Sequence, residues 1–238
     1  MHLNIVTKQK TLWIDDAVWK RSAGDIAAKQ LETDLAGRLC CGGLDLSAKY
    51  DLTAFVLVFP DGDDTYKVLS RFWIPEETAR LAERKHGIPY SKWERDGFIT
   101  FTPGASVSYP MIEQRIIEDA KTFQLEMVVF DPWNANSTRS RLEADGIVMV
   151  EFPQQLRHFN EPTKEFGRLV MEGHMHHGGN PVMSWCVTNT EVYTDPSGNI
   201  RPVKPEDAGP NKIDGSVAGI MGLSRAMLYQ DEGAQCFF

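Results

Sequence analysis

Residues 41–59 read CGGLDLSAKYDLTAFVLVF, and this stretch decides the predicted fold. An apolar segment precedes Asp45, and a run rich in Phe and Val follows at residues 52–59, as expected of two buried strands. A carboxylate inside such a stretch is costly to bury unless a cationic group meets it. Asp45 therefore either caps the loop after the first strand or binds a cation, and the stretch taken alone favours the cap.

The composition is that of an ordinary globular protein. The 238 residues, 42% hydrophobic and 24% charged, suit one domain of good size or a domain with an appendage. No apolar stretch approaches the ~20 residues that span a bilayer, and residues 1–10 lack a signal-peptide pattern. Four cysteines without a CxxC pair fit reduced thiols of a cytosolic protein. The formal charge of −8 argues against a protein that coats nucleic acid, but not against an enzyme with a local basic patch and bound metal.

The order of predicted elements indicates an α/β fold. Residues 1–38 carry scattered charges and no complete core pattern, so we predict a linker or arm there and a folded domain over residues 39–238. Three strands come first, two of them joined by the hairpin turn PDGDD, and helices then alternate with further strands. This order predicts a mixed sheet, three antiparallel strands and then parallel strands, flanked by helices. The predicted strands are 39–45, 52–59, 65–74, 98–101, 125–130 and 147–152, with a further hairpin at 193–203. Four predicted helices cover 109–123, 138–146, 160–173 and 212–230. Two more are predicted to begin near residues 75 and 181.

Three acidic residues are candidates for one site. Asp45 and Asp131 each follow a buried apolar run, and Pro132 ends the second of these strands. Open α/β sheets bind ligands at the carboxyl ends of their strands, so the two carboxylates converge if their strands are neighbours. Asp214 could join them from the start of the last helix or act as its N-cap, two roles that weigh evenly. Three converging carboxylates repel each other without a cation, which makes a Mg²⁺ or Mn²⁺ site plausible, with two ions ~4 Å apart for phosphodiester hydrolysis.

Other polar and aromatic residues give weaker signals. Asp51 is a candidate fourth ligand, although a turn residue is the favoured interpretation. The segment HMHHGG contains three histidines, but no cysteine or carboxylate lies at ligand spacing, so a loop between helices is favoured over a zinc site. Tryptophans are more often core residues than base-stacking residues, and this expectation applies to Trp73, Trp133 and Trp185.

Several basic residues could bind DNA phosphates. For most of them a solvated face is an equal alternative, and for Lys49 a solvated turn lysine is favoured. The candidates are Lys49, Arg139, Arg141, Arg157, Lys164, Arg168 and Lys212.

Six segments, in order, resemble the C-terminal nuclease half of the large terminase subunit of tailed bacteriophages and prophages. They are GLDLSAKYDLTAFVLVF, RFWIPEE, IPYSKWERDGFITFTPG, VVFDPWNA, HHGGNPVMSW and NKIDGSVAGIMGLSRA, and the resemblance covers nearly all of residues 39–229. It implies a ribonuclease-H-like fold and a divalent-metal-dependent endonuclease that cuts double-stranded viral DNA concatemers during genome packaging. The resemblance also implies that Asp45, Asp131 and Asp214 are the catalytic ligands of Mg²⁺ or Mn²⁺.

The resemblance has consequences for partners and domains. The family's other half is an ATPase, yet the phosphate-binding pattern GxxxxGK[ST] does not occur here, and SAKY at 47–50 departs from the small hydroxyl residues expected in that loop. We therefore expect an excised domain whose residues 1–38 led to an ATPase domain and which does not translocate DNA alone. The implied partners are double-stranded DNA, the ATPase half, the small terminase subunit and the portal, without a membrane, in the cytoplasm of an infected or lysogenic bacterium.

Two other classes of function stay open. One is a non-catalytic docking module of the packaging motor, and the other is a transposase or resolvase on the same fold. Retention of all three acids favours catalysis over docking. The lack of a DNA-reading domain or basic tail disfavours the transposase.

Overall fold

The computed structural model describes residues 9–46, 50–134, 136–206 and 209–229, which form a mixed α/β structure. No helix in these ranges is long and apolar enough to cross a membrane. The strands are β1 (Gln9–Leu12), β2 (Leu39–Asp45), β3 (Thr53–Pro60), β4 (Tyr66–Pro75), β5 (Thr100–Thr102), β6 (Gln124–Phe130), β7 (Met149–Glu151), β8 (Met175–His176), β9 (Glu191–Thr194) and β10 (Ile200–Val203). The α-helices are α1 (Asp16–Arg21), α2 (Ala28–Asp34), α3 (Glu76–His86), α4 (Tyr90–Arg95), α5 (Tyr109–Thr122), α6 (Asn136–Ala144), α7 (Leu156–Glu172), α8 (Pro181–Thr188) and α9 (Asp214–Ala226).

The central sheet has seven strands and the predicted mixed topology. Its path is β5-β4-β3-β2-β6-β7, and β8 also pairs with β4. The strands β2, β3 and β4 are antiparallel neighbours, whereas β6 is parallel to β2 and β7 is parallel to β6. A smaller antiparallel sheet, β1-β9-β10, contains the predicted hairpin. The prediction of three antiparallel strands followed by parallel strands is therefore confirmed.

The core lies on both faces of the central sheet. Alternate residues of β3 point to opposite faces, as in any strand. On one face Val56 and Val58 pack in the cluster that includes α9, and on the other face Phe55 and Leu57 pack in the cluster that includes α5. The continuous apolar run of β3 is thus explained, because helices cover both of its sides.

Helix α9 lies directly on β2 through small residues. A Cβ atom added to Gly43 would stand 1.9 Å from the carbonyl oxygen of Ala218 and 2.6 Å from the amide nitrogen of Gly222. Only glycine permits such an approach of helix and strand backbones. The small residues of this helix, Gly215, Ser216, Ala218, Gly219 and Gly222, are buried, and the contact holds the start of α9 at a set place relative to β2.

A local sequence signal sets the start of α8. The side chain of Asn180 caps α8 by accepting hydrogen bonds from the N–H groups of Val182 and Met183 at 3.0 and 3.1 Å, with Pro181 as the first helical residue, as predicted. Helix α7 differs from its prediction, since it begins at Leu156 and keeps Pro162 in its interior instead of beginning near residue 160.

Residues 9–38 pack against the same core as the rest of the chain. Strand β1 pairs with β9, and the fully buried ring of Trp19 stacks on His177 at a centroid distance of 3.7 Å. The indole N–H of Trp19 also donates to Ser184 Oγ at 2.9 Å. Leu31 of α2 is buried on the opposite face of the sheet. That residues 1–38 also led to an ATPase domain stays a prediction.

Three of the cysteines are buried free thiols. Cys40 and Cys41 lie in β2, and Cys186 lies in α8. Burial is the main cause that raises the pKa of each thiol above its usual range, so these side chains act as small apolar core residues, as predicted. Cys236 lies outside the described residues.

Candidate metal centre

Two adjacent parallel strands bring Asp45 and Asp131 to the same edge of the sheet. In the register of β2 with β6, Leu44 stands beside Phe130, so the two acids that follow are level with each other. Both preceding residues, Leu44 and Phe130, belong to the core cluster on the α5 face. Because side chains alternate, the acids project toward the α9 face, where that helix begins with Asp214.

The register depends on one extra residue in β6. Cys40 stands beside Leu125, but the next residue, Cys41, stands beside Met127, which leaves Glu126 without a partner in β2. Such a bulge shifts the pairing by one residue. If Glu126 instead paired with Cys41 in a regular ladder, Asp45 would stand level with Phe130.

The acids line an open cavity of about 300 Å³ at this edge of the sheet. Among the described residues, its charged lining consists of four carboxylates and two lysines. The lining residues are Asp45, Asp51, Asp131, Gln154, Lys204, Lys212, Ile213, Asp214 and Val217.

The carboxylates of this cavity, which we call the acidic pocket, disfavour each other's charge. Burial, and then the nearby Asp214, Asp131 and Asp51, raise the pKa of Asp45 well above its usual range. Burial and then Asp51 raise the pKa of Asp214 to about 7, although Lys212 and Lys204 act in the opposite direction. A cation in the acidic pocket would relieve this repulsion.

Asp51 makes the contact of a turn residue and also lines the acidic pocket. Its Oδ1 accepts the N–H of Leu52 at 2.8 Å, which is the contact of a turn residue. The same oxygen lies 2.5 Å from Lys212 Nζ, and Asp51 lines the acidic pocket. Lys212 therefore supplies a positive charge inside the cluster of acids.

Asp214 is the first residue of α9 and not its N-cap. The N-cap position belongs to Ile213, which makes no side-chain capping bond. The N-cap interpretation of Asp214 is therefore wrong. A carboxylate in the first turn still interacts favourably with the helix dipole, and the hydrogen bond from its own N–H acts to lower the pKa of Asp214.

Trp133 does not lie in the core, contrary to expectation. The strand β6 ends at Phe130, and a 3₁₀ turn at Pro132–Asn134 leads the chain out of the sheet, which leaves the Trp133 side chain 85% exposed. The backbone N–H of Trp133 donates to Asp131 Oδ1 at 3.1 Å. The expectation holds for buried Trp73, and Trp185 is half-buried in contact with other aromatic rings.

Two of the predicted DNA-binding arginines already bind carboxylates. Arg139 donates to Glu143 at 2.8 Å and to Glu151 at 2.6 Å. Arg141 forms a bidentate pair with Glu113, with both distances 2.7 Å. The ion pair of Arg141 links α6 to α5, which is a structural role.

The remaining basic candidates are dispersed. Lys49 lies outside the described residues. Arg157 and Lys164 are exposed on α7, and Arg168 of the same helix binds carboxylates on α7 and in the turn before β4. Among the predicted basic residues that the structure describes, Lys212 is the one that lines the acidic pocket.

Two polar lining residues were not predicted. Gln154 follows the end of β7, so its place at a strand end is a signal that could have identified it. Lys204 follows β10 of the small sheet and reaches the acidic pocket through tertiary packing, for which the sequence carries no local signal.

His174 lies near two carboxylates, Glu172 close by in sequence and Asp64 far from it. Its Nδ1 stands 3.9 Å from Asp64 and 4.0 Å from Glu172. The potential ligand atoms of Asp64, Glu172 and His174 all lie within 4.8 Å of one another. Among the described residues, no three acids of the acidic pocket lie that close together. The prediction that no carboxylate lies at ligand spacing near the histidines is therefore wrong. Arg168, however, already binds both carboxylates.

The other two histidines face backbone groups. His176 Nε2 lies 3.1 Å from the carbonyl of Gly173, and the buried His177 lies 2.8 Å from the carbonyl of Trp19. Burial lowers the pKa of His177 to about 4. The three histidines therefore do not converge on one metal, in agreement with the sequence interpretation.

A mixed sheet of this order, with acids at the ends of its central parallel strands, defines the ribonuclease-H-like class of nuclease fold. The chain belongs to the terminase large subunit, endonuclease domain family, whose model matches residues 1–230. The predicted family and fold are therefore confirmed.

Two relatives, one of which also has a crystal structure, illustrate this assignment. Protein YmfN of Escherichia coli (strain K12) is 32% identical over 241 residues, which covers 97% of this chain and 52% of YmfN. The large terminase subunit of Enterobacteria phage HK97 is 34% identical over 186 residues, which covers 77% of this chain and 36% of that subunit. The crystal structure of the HK97 large terminase superposes with a TM-score of 0.80 at 30% identity, covering 91% of this chain and 44% of that one.

A more distant structure shares the fold. The large terminase nuclease from thermophilic phage G20c, with bound magnesium, superposes with a TM-score of 0.52 at 13% identity and covers 80% of this chain and 84% of that one. This chain thus matches nearly a whole nuclease domain, but spans about half or less of YmfN and the HK97 subunit.

Proposed function

We propose that this chain is a divalent-metal-dependent endonuclease that hydrolyses phosphodiester bonds of double-stranded DNA concatemers during viral genome packaging. The observation that carries the proposal is the acidic pocket, in which four carboxylates from separate elements line one cavity. Membership of the terminase endonuclease family supports the same reaction. A docking module or a transposase has no specific observation in its favour.

The donor set of the acidic pocket fits Mg²⁺ or Mn²⁺. Its acidic groups offer carboxylate oxygens, which hard divalent cations prefer, and the lining residues that the structure describes include no thiol or imidazole. The raised pKa values of Asp45 and Asp214 fit as well, since a cation would relieve the repulsion that raises them. The bound magnesium of the G20c nuclease supports this class of ion.

We assign Asp45, Asp131 and Asp214 as catalytic metal ligands, with Asp51 as a fourth. The level position of Asp45 and Asp131 suits ligation of a shared ion, with Asp45 as the bridging ligand if two ions bind. Bound ions of this kind activate a water molecule and stabilise the leaving oxygen of a phosphodiester. Lys212 and Lys204 would attract the DNA phosphate and balance the charge of the acids before an ion enters.

The activities of a whole terminase are proposals for the longer protein. We propose that residues 1–38 connect this domain to an ATPase domain, and that the small terminase subunit and the portal are partners of the assembled motor. The site of action would be the cytoplasm of the bacterial host. This division of roles agrees with the share of the HK97 subunit that the chain covers.

A plasmid-nicking assay tests the proposed function. We expect the chain to nick or linearise plasmid DNA with millimolar Mn²⁺ or Mg²⁺ and to lose this activity in chelator. Asp45→Asn and Asp131→Asn should each reduce the rate by at least about 100-fold, which is about 2.7 kcal/mol of transition-state stabilisation. Asp145→Asn is the matched control, because Asp145 is an exposed acid that does not line the acidic pocket. Robust cleavage in chelator or by either pocket variant would contradict the proposal.

A further inference from the structure

Two large aromatic side chains are exposed beside the acidic pocket. Trp133 is 85% exposed and Tyr50 is 64% exposed. Tyr50 directly precedes Asp51, and Trp133 follows Asp131 by two residues, so each Cα lies within roughly 8 Å of the Cα of a pocket acid. The two residues come from different loops, one before β3 and one after β6. Leaving this much aromatic surface in water is unfavourable, and covering it would be favourable.

The backbone of both aromatic residues is held, although the side chains are exposed. Trp133 donates its N–H to Asp131 within a 3₁₀ turn that begins at Pro132. The carbonyl of Tyr50 accepts a hydrogen bond from Thr78 Oγ1 at 3.1 Å. A tryptophan or tyrosine on a held backbone has only two χ angles to fix when it contacts a ligand, so such residues are suited to binding.

The position of these residues identifies the occupant. The acidic pocket would receive a phosphate group of DNA, with Lys204 and Lys212 as its cationic partners. Trp133 follows the pocket acid Asp131 by two residues, so DNA bound in that arrangement would pass within reach of its exposed ring. The DNA groups with apolar faces next to a phosphate are the bases and sugars. Stacking on aromatic side chains is available to every base. In an intact duplex, however, each base is already stacked between its neighbours.

We propose that Trp133, assisted by Tyr50, stacks on an unpaired base next to the scissile phosphate, so that this chain prefers DNA that is locally melted at the cut site. This inference rests on the proposed nuclease function and adds the substrate class to it. Trp133 is then a residue that determines specificity, while the acids carry out the reaction.

Two oligonucleotide duplexes test the inference. One is fully paired, and the other has the same cleaved strand opposite four mismatched bases, with rates measured in saturating Mn²⁺ and excess enzyme. We expect the wild-type chain to cut the mismatched duplex at least about fivefold faster, the lower end of what one stacked base contributes. Trp133→Ala should bring the ratio of the two rates close to one, and Trp133→Phe should keep most of the preference. Met171→Ala, a change at a 69% exposed apolar residue on α7, should keep the wild-type ratio.

The outcomes separate this inference from the proposed function. If the wild-type chain cuts neither duplex, the nuclease proposal fails and the inference fails with it. If it cuts both duplexes at the same rate, or if Trp133→Ala keeps the preference, the inference alone is overturned and the exposed aromatics serve another partner. A Trp133→Ala protein that has lost its Mn²⁺-induced rise in Tm would show that Trp133 acts by holding Asp131, which also overturns the inference.

Discussion

At the scale of single residues, Asp214 combines two properties that a substitution can separate. Its charge is disfavoured by burial and by Asp51, which raise its pKa to about 7. Its oxygen atom accepts a hydrogen bond from its own N–H at the start of α9. Asparagine keeps an oxygen acceptor and removes the charge, so Asp214→Asn isolates the electrostatic part.

We expect Asp214 to make the metal-free protein less stable as pH rises from about 4 to about 7. An aspartate in an unfolded chain has a pKa near 3.9, so within this window the folded state holds more protons than the unfolded state, and stability falls as pH rises. The difference in Tm, wild type minus Asp214→Asn, should therefore decrease from pH 4 to pH 7 in chelator. Melting curves at half-unit pH steps measure this difference.

Mn²⁺ provides the second arm of the same melting series. A ligand that binds only the folded state stabilises it by about 2.7 kcal/mol at a hundredfold excess over its Kd. The wild-type Tm should rise with Mn²⁺, and the rise should shrink in Asp214→Asn but not in Asp145→Asn. If the difference in Tm, wild type minus Asp214→Asn, instead increases from pH 4 to pH 7 in chelator, the inferred repulsion between the carboxylates is contradicted.

At the scale of elements, the contact of α9 with β2 sets the height of Asp214 above the sheet. We expect Gly43→Ala to reduce the free energy of unfolding by at least about 1–3 kcal/mol, since overpacking of this size forces backbone shifts. The new Cβ would meet the Ala218 carbonyl oxygen at 1.9 Å, and that oxygen belongs to the helix backbone. Urea denaturation measures the change.

The matched control for Gly43→Ala is another substitution of glycine by alanine. At Gly167 in α7, an added Cβ would meet its nearest neighbour, Trp13 Nε1, at 3.4 Å, which is an ordinary contact. Gly167→Ala should be neutral or stabilise by up to about 1 kcal/mol, because alanine is the better helix former. Equal stability of the two variants would show that α9 can move away from β2 without cost.

Most elements could be predicted from the sequence, and the reasons for the exceptions are physical. Alternating or continuous apolar runs predicted the central strands, and the acids that follow two of these runs predicted Asp45 and Asp131 as residues of one edge. Local patterns do not record which chain segments meet in space. The proximity of Asp64 to His174, the place of Lys204 in the acidic pocket and the exposure of Trp133 are properties of that kind.

At the scale of the whole molecule, the net charge of −8 governs how the chain meets DNA. We expect weak binding to duplex DNA, with a Kd in the range of about 10⁻⁴–10⁻⁶ M and a steep loss of affinity with salt. The double variant Lys204→Gln with Lys212→Gln should reduce the slope of log K against log salt by about 2, because each phosphate contact contributes about 0.9. Fluorescence anisotropy with a labelled duplex measures both quantities.

The control for the salt dependence is a lysine remote from the acidic pocket. Lys20 is 69% exposed and pairs with Asp16 on α1, so Lys20→Gln should leave the slope unchanged. Tight binding that does not respond to salt would contradict this expectation and would indicate another DNA-binding surface.

The bulge at Glu126 lets β6 carry one residue more than β2 over the same span, while Asp45 and Asp131 stay level. Replacing Glu126 by another residue leaves the count of residues in β6 intact. Deleting it would restore a regular ladder in which Cys41 still pairs with Met127, so the two acids would still stand side by side. The lineage that produced this domain could thus have gained or lost this codon without separating the two acids.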